Sequence, residues 1–175
     1  MKRLALNWPS VQGLVGEITH QIVSDEWKPD RIVGISRGGL PAAVMLSQYF
    51  GTPMTPLVVS LRDSHETVSN NELAGLALGY DPATVVSDKN LRRNILIVDD
   101  INDSGATQEW IKADWQTSCF PQSKEWERVW HTNVRFAYLV NNAGSTANAD
   151  YLGMEIDKRE SDVWVEYPWE NWWRA

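Results

Sequence analysis

Residues Asn94 to Val98 form a short, continuous, β-branched apolar run that ends in two adjacent carboxylates, Asp99 and Asp100, and then turns through Ile101, Asn102, Asp103, Ser104, Gly105, Ala106 and Thr107. An unbroken apolar run of this length, rather than an alternating one, is the signature of a strand buried on both faces, as in a parallel sheet covered by helices. Ligands of open α/β sheets bind at the carboxyl ends of such strands. The acidic and hydroxyl-bearing residues therefore stand where a ligand is expected.

Each residue type narrows the chemistry. Ser104, Gly105 and Thr107 lie where a loop closes into a helix N-terminus, whose unpaired N–H groups and positive dipole end favour a phosphate monoester. Gly105 lets the backbone approach the anion. Carboxylates beside an anion site would repel a bare phosphate, so Asp99, Asp100 and Asp103 call for sugar hydroxyls or a hard cation such as Mg²⁺. A phosphorylated sugar with Mg²⁺ meets both demands. A second segment has the same design: Arg31 to Ser36 is an apolar strand that breaks at Arg37, Gly38 and Gly39, followed by a helix over Ala42 to Phe50 with Gly51 as its C-cap. Consecutive glycines expose backbone N–H groups, and Arg37 supplies a planar, permanently charged fork for a diphosphate.

The run Val98 to Thr107 resembles the phosphoribosyl-pyrophosphate (PRPP) motif of the type I phosphoribosyltransferases, and Ser36 to Leu40 is similar to the pyrophosphate loop of the bacterial xanthine-guanine enzymes, where the peptide bond can be cis. The resemblance implies an α/β fold with a mostly parallel central sheet flanked by helices, a small C-terminal hood and a mobile lid loop. It implies a single domain over 1–175, with a core at about 10–155 and a hood at about 156–175 that includes the N-terminal segment. By the same resemblance Asp99, Asp100, Asp103, Ser104, Gly105, Ala106 and Thr107 bind PRPP, and Ser36, Arg37, Gly38 and Gly39 bind pyrophosphate. Asp103 becomes the catalytic base facing the purine N7, a role for which burial or neighbouring acids would have to raise its pKa.

The segment Asp162 to Glu170 looks like the purine-binding hood of the xanthine-guanine and hypoxanthine phosphoribosyltransferases. Trp164 then stacks on the base, the Val165 backbone reads its edge, and Glu170 joins Asp99 and Asp100 at Mg²⁺. One departure stands out. The 6-oxopurine enzymes carry a Lys at the end of the strand after the PRPP helix, and this chain has Asn141 and Asn142 there, so one of these amides is expected to serve the base. The implied activity is transfer of the 5-phosphoribosyl group from PRPP to guanine, xanthine or hypoxanthine. Two alternatives stay open: a PRPP-binding regulator without turnover, and a phosphoribosyltransferase for another base such as adenine.

Composition bears on partners. A net charge of −7 in 175 residues, with no Lys/Arg cluster, argues against nucleic acid, and no apolar window is long enough to span a membrane. The one cysteine, Cys119, fits a reducing, cytoplasmic setting, and relatives commonly form homo-dimers or homo-tetramers. Val11, Leu14, Val15, Ile18 and Ile22 recur at helical spacing, giving an N-terminal helix capped by Ser10. Strands are expected over Thr55 to Ser60, Val134 to Val140 and Tyr151 to Glu155. Residues 61–93 read as a long connection, which the resemblance makes the lid, and 116–133 as an insertion without a catalytic role.

Overall fold

The computed structural model describes residues 1–59, 61 and 71–174. In chain order the elements are β1 (Lys2–Ala5), α1 (Trp8–Ser24), β2 (Arg31–Ser36), α2 (Leu40–Phe50), β3 (Met54–Val58), α3 (Asn71–Leu78), β4 (Tyr80–Asp81), β5 (Val86–Ser87), β6 (Ile95–Asn102), α4 (Ala106–Ser118), β7 (Val134–Asn142), β8 (Tyr151–Ile156) and β9 (Val163–Glu166). Five of the strands form the central sheet in the order β3-β2-β6-β7-β8, every neighbouring pair parallel. From β2 the chain moves outward to β3, then returns to β6 and proceeds the other way. The order therefore reverses between β2 and β6, and that switch point is where open α/β sheets leave a ligand crevice.

Alternation along each strand divides the core. Ile32, Leu96 and Val98 face α1 and α2, together with Val11, Val15, Ile18 and Ile22. Val33, Ile35, Ile95 and Ile97 face the opposite layer, where α3, α4 and the 116–133 segment supply Leu73, Ile111, Trp115 and Trp126. Both faces of β2 and β6 are apolar because both are covered, as their unbroken runs require. A separate pair, β1 with β9 in parallel register, forms the hood: Arg3 stands opposite Trp164 and Leu4 opposite Val165.

Several local features differ from the sequence reading. The cap of α1 is Asn7, whose side chain accepts the Ser10 N–H at 2.8 Å, not Ser10 itself; Pro9 leaves no early N–H to satisfy, and the helix starts at Trp8. Strand β6 runs four residues beyond Val98, so Asp99 and Asp100 belong to the strand and the loop begins only at Asp103. The expected lid falls partly on 62–70, outside the described residues. From Asn71 onward the same stretch holds α3 and the β4–β5 hairpin, and Leu73, Ala74, Ala77 and Leu78 are buried. That part is core, since its apolar residues recur at helical spacing on one face. The 116–133 insertion likewise closes one side of the sheet: Trp126 is 1% exposed, stacks on Trp130 at 5.4 Å and donates its indole N–H to the Cys119 carbonyl at 2.8 Å.

Candidate active site

The carboxyl ends of β2 and β6 meet at Gly38 and Asp100. A Cβ on Gly38 would overlap the Asp100 carboxylate, so the turn after β2 lies against Asp100 as closely as it does because it is glycine. The preceding Ser36–Arg37 peptide is cis. Gly39 behaves differently from expectation: it is buried, and its N–H donates to the Ile35 carbonyl at 2.8 Å instead of facing a ligand. Its contribution is close packing, since a side chain there would collide with the Val98 carbonyl. Arg37 is exposed and lines a cleft of about 880 Å³ with Gly38, Asp100, Trp169 and Glu170.

A second cleft, of about 310 Å³, adjoins the first and is lined by the residues 99–108, Tyr138, Lys158, Trp164, Val165, Tyr167 and Glu170. Asp100 and Glu170 line both. Gly105 adopts φ +90 and packs against Thr146 and Ala147, so that Ala106 opens α4 without a side-chain cap. The first turn of α4, which contains Thr107 and follows Ser104, lines this cleft, and its Ala106 N–H donates to Ser104 Oγ at 3.3 Å. The loop is held from below: Thr146 Oγ1 donates to the Ser104 carbonyl at 2.9 Å, Asn142 Nδ2 donates to the Asp103 carbonyl at 2.9 Å, and Gln108 Nε2 donates to the Asn148 carbonyl at 3.1 Å.

Electrostatics separates the acids into two kinds. Burial, with the adjacent Asp100 charge, drives the Asp99 carboxyl well above its ordinary range. Burial raises Asp100 too, and the nearby Glu170 charge adds to the effect. Neither is ion-paired among the described residues. A buried Asp99 and a partly buried Asp100, neither in an ion pair, with an exposed Glu170 across the cleft, suit a hard divalent cation that takes one or two carboxylates and completes its shell from water and substrate oxygens. Among the described residues no three acidic, His or Cys side chains converge on one point, so the protein offers a bridging position and not a closed cage. The hood is tied to this pair by Tyr167, whose hydroxyl donates to the Asp100 carbonyl at 2.9 Å.

Asp103 is of the second kind. Its side chain is 54% exposed, and Oδ2 receives the Lys158 ammonium at 2.9 Å. It is not buried, and the group facing it is a cation. The amides expected to read a base are also committed elsewhere. Asn141 donates to Glu155 at 3.1 Å and accepts from Asn102 at 2.8 Å, while Asn142 bonds Asp103, Gly144 and Lys158. Neither lines the cleft. Trp164, 47% exposed, and Val165 do line it.

The defining sequence pattern of the phosphoribosyl transferase domain matches residues 5–170. The chain belongs to that family. This phosphoribosyltransferase is similar to the hypoxanthine-guanine phosphoribosyltransferase of Schizosaccharomyces pombe, 24% identical over 184 residues that cover 96% of this chain and 89% of the relative. It is similar to xanthine phosphoribosyltransferase 1 of Saccharomyces cerevisiae, 21% identical over 188 residues with 97% and 90% covered. Its fold is that of the Helicobacter pylori xanthine-guanine-hypoxanthine phosphoribosyltransferase, with a TM-score of 0.66 at 19% identity and 98% and 96% of the two chains covered. The residue that the sequence reading missed is Lys158. Its one signal was a charged turn, Asp157 to Glu160, placed between the last sheet strand and the hood.

Proposed function

We propose that this phosphoribosyltransferase transfers the 5-phosphoribosyl group from PRPP to guanine, xanthine or hypoxanthine, releasing pyrophosphate and a nucleoside 5′-monophosphate. The observation that carries the reading is the pair of adjoining clefts at the β2/β6 switch point, one flanked by a helix N-terminus with two hydroxyls, the other by Arg37 and a glycine turn, with Asp100 and Glu170 between them. Such a pair suits a sugar carrying a monoester at one end and a diphosphate at the other.

The residues divide the work. Ser104, Gly105, Ala106 and Thr107 bind the 5′-phosphate, so that remote binding energy fixes the anomeric carbon. Asp99 and Asp100 accept from the ribose hydroxyls. Ser36, Arg37 and Gly38 line the path of the departing diphosphate, where the guanidinium stabilises charge as it develops; Gly39 shapes that turn. Trp164 stacks on the purine, Val165 meets its edge, and Asp103 takes up the N7 proton. Asp99, Asp100 and Glu170 do not converge on one point, so one or two of these carboxylates would hold Mg²⁺ with water and substrate oxygens completing its shell, and bound there it would neutralise diphosphate charge. In this reading the core and the hood act as one unit, supported by the Tyr167–Asp100 bond. We place the enzyme in cytoplasmic purine salvage as a homo-dimer or homo-tetramer. No described helix is long and apolar enough to cross a membrane.

The test is pyrophosphate release from PRPP and Mg²⁺ with hypoxanthine, guanine, xanthine or adenine supplied singly. Release with at least one 6-oxopurine is expected. PRPP binding without release for any base would mean a sensor and refute the enzyme reading.

A further inference from the structure

Strand β2 pairs with β6 as far as Val98 and no further. Past that point β7 holds β6 from one side, at Asp99, Ile101 and Asn102. Successive residues of a parallel ladder bond to opposite sides, so Asp100 faces the side that β2 has left. Its polar groups are met from elsewhere. The Asp100 N–H donates to Asp99 Oδ1 at 2.9 Å, Asp100 Oδ1 accepts the Ile101 N–H at 2.8 Å, and the Asp100 carbonyl accepts the Tyr167 hydroxyl at 2.9 Å. A side chain 67 residues away thus supplies the bond that a neighbouring strand would make in a continued sheet.

Tyr167 is itself firmly set, at 3% exposure. Its ring stacks on Trp169 at 4.8 Å with the planes 12° apart, and Trp169 meets Trp8 at the start of α1. Its N–H donates to Glu170 Oε2 at 2.9 Å, and the Glu170 N–H donates back to the Tyr167 carbonyl at 3.1 Å. Pro168, inside that turn, fixes one more dihedral. Glu170 is exposed, and an exposed glutamate otherwise samples many rotamers; the Tyr167 N–H restrains it. One residue therefore holds the strand of Asp100 through its side chain and the carboxylate of Glu170 through its backbone, and these are the two acids that line both clefts.

We infer that Tyr167 is a positioning residue, holding Asp100 and Glu170 at the spacing across which the magnesium complex of the departing diphosphate is bound. Packing of the hood asks only for the aromatic ring. The hydroxyl has the Asp100 carbonyl as its partner among the described residues, so its role is to place the acidic strand against the hood turn. Groups held in the binding geometry beforehand lose less freedom when the ligand arrives. The inference rests on the purine phosphoribosyltransferase reading, which puts the diphosphate in the larger cleft, and it makes Tyr167 act through the two acids.

The experiment compares the wild type with Tyr167→Phe, which keeps the ring and the backbone N–H and removes the hydroxyl. Calorimetry with pyrophosphate in Mg²⁺ gives the affinity for the magnesium complex, and turnover is followed as Mg²⁺ is raised. Tyr167→Phe should weaken magnesium pyrophosphate by about 3- to 10-fold, the scale of one net hydrogen bond. The Mg²⁺ concentration at half-maximal turnover should rise by a similar factor, and excess Mg²⁺ should bring kcat back to within about twofold of the wild type. A merely structural role would lower the thermal midpoint while magnesium pyrophosphate affinity stays unchanged, or lower kcat in a way that Mg²⁺ does not restore. Either result would overturn the assignment of Tyr167 and leave the enzyme reading standing, as would an active wild type without measurable affinity for magnesium pyrophosphate. Absence of release with every purine in the wild type would overturn both.

Discussion

Asn142 fastens Asp103 in place: its Nδ2 donates to the Asp103 carbonyl at 2.9 Å and to Asp103 Oδ1 at 3.3 Å. The same amide accepts the Lys158 N–H through Oδ1, so one buried side chain sets the spacing between Asp103 and Lys158. Asn142→Ala would strand these partners at a site that is 8% exposed. A loss of about 1–3 kcal/mol is expected, together with a raised KM for the base. Thermal unfolding and base saturation curves check both, and an unchanged KM in the variant would remove Asn142 from the support of the site.

Gly38→Ala tests the contact between the two loops. No positive φ is required at Gly38, so the backbone tolerates alanine; the added methyl instead displaces the Asp100 carboxylate. Because displacements of about 1 Å cost on the order of 100-fold in rate, turnover should fall by that factor while the unfolding midpoint moves little. A fully active Gly38→Ala enzyme would show that Asp100 need not lie where it does.

The raised carboxyls of Asp99 and Asp100 predict how the metal-free protein responds to pH. The unfolded reference is 3.8 and the folded value of Asp99 lies well above it. The folded state thus binds more protons across that interval, so this contribution to stability is complete below 3.8 and is lost as pH rises through the folded value. Asp99→Asn keeps the acceptor for the Asp100 N–H and removes the buried charge. Without divalent cations its midpoint should exceed that of the wild type near neutrality, by roughly 2–4 °C per kcal/mol relieved, and the two should converge in mild acid. Parallel midpoint-versus-pH curves from chelator-treated samples would contradict this.

The parts of the site legible in the sequence are those whose chemistry is local. Asp99, Asp100, Ser104, Gly105 and Thr107 fall on one strand and the loop after it, so an apolar run, a glycine at φ +90 and two hydroxyls within nine residues announce them. The strand reads four residues short because Asp99 and Asp100 look like a loop until β7 is seen to pair with Asp99, Ile101 and Asn102. Asn141, Asn142 and Lys158 were not legible for a related reason. An amide at a strand end is open to a ligand or to the chain, and only the fold shows that partners 14 to 39 residues away have taken it. Lys158 resembles any exposed lysine in a charged turn until that turn is seen to overhang Asp103. The helix Asn71–Leu78 reads as connection in the sequence, since eight residues hold too little periodicity to outweigh the polar stretch before them.

Asp103→Asn separates chemistry from binding. The amide retains an oxygen to accept from Lys158 but gains no affinity for a proton, and the backbone bond from Asn142 to the Asp103 carbonyl is untouched. Turnover should drop by roughly 100- to 10,000-fold, with PRPP affinity changed far less. Single-turnover pyrophosphate release and PRPP calorimetry give the two quantities. Retained turnover would pass the proton-accepting role to another group.

Trp164 and Trp126 make opposite predictions from the same residue type. Trp126 is enclosed on the α4 side of the sheet, so Trp126→Ala should cost about 3–5 kcal/mol and leave KM values unchanged in whatever fraction stays folded. Trp164 lies on the hood strand with nearly half its surface open to the cleft, so little packing is lost on its removal. What Trp164→Ala loses is a stacking platform, worth about 1–3 kcal/mol per base, which raises the KM for the purine by about 5- to 150-fold. Trp164→Phe keeps a ring of smaller area and should recover most of that loss. PRPP affinity should not follow either Trp164 substitution, because the contacts proposed for the 5′-phosphate lie on the α4 loop and not on β9. If PRPP affinity fell together with base affinity, Trp164 would be holding the hood closed over the whole site and not supporting the base alone.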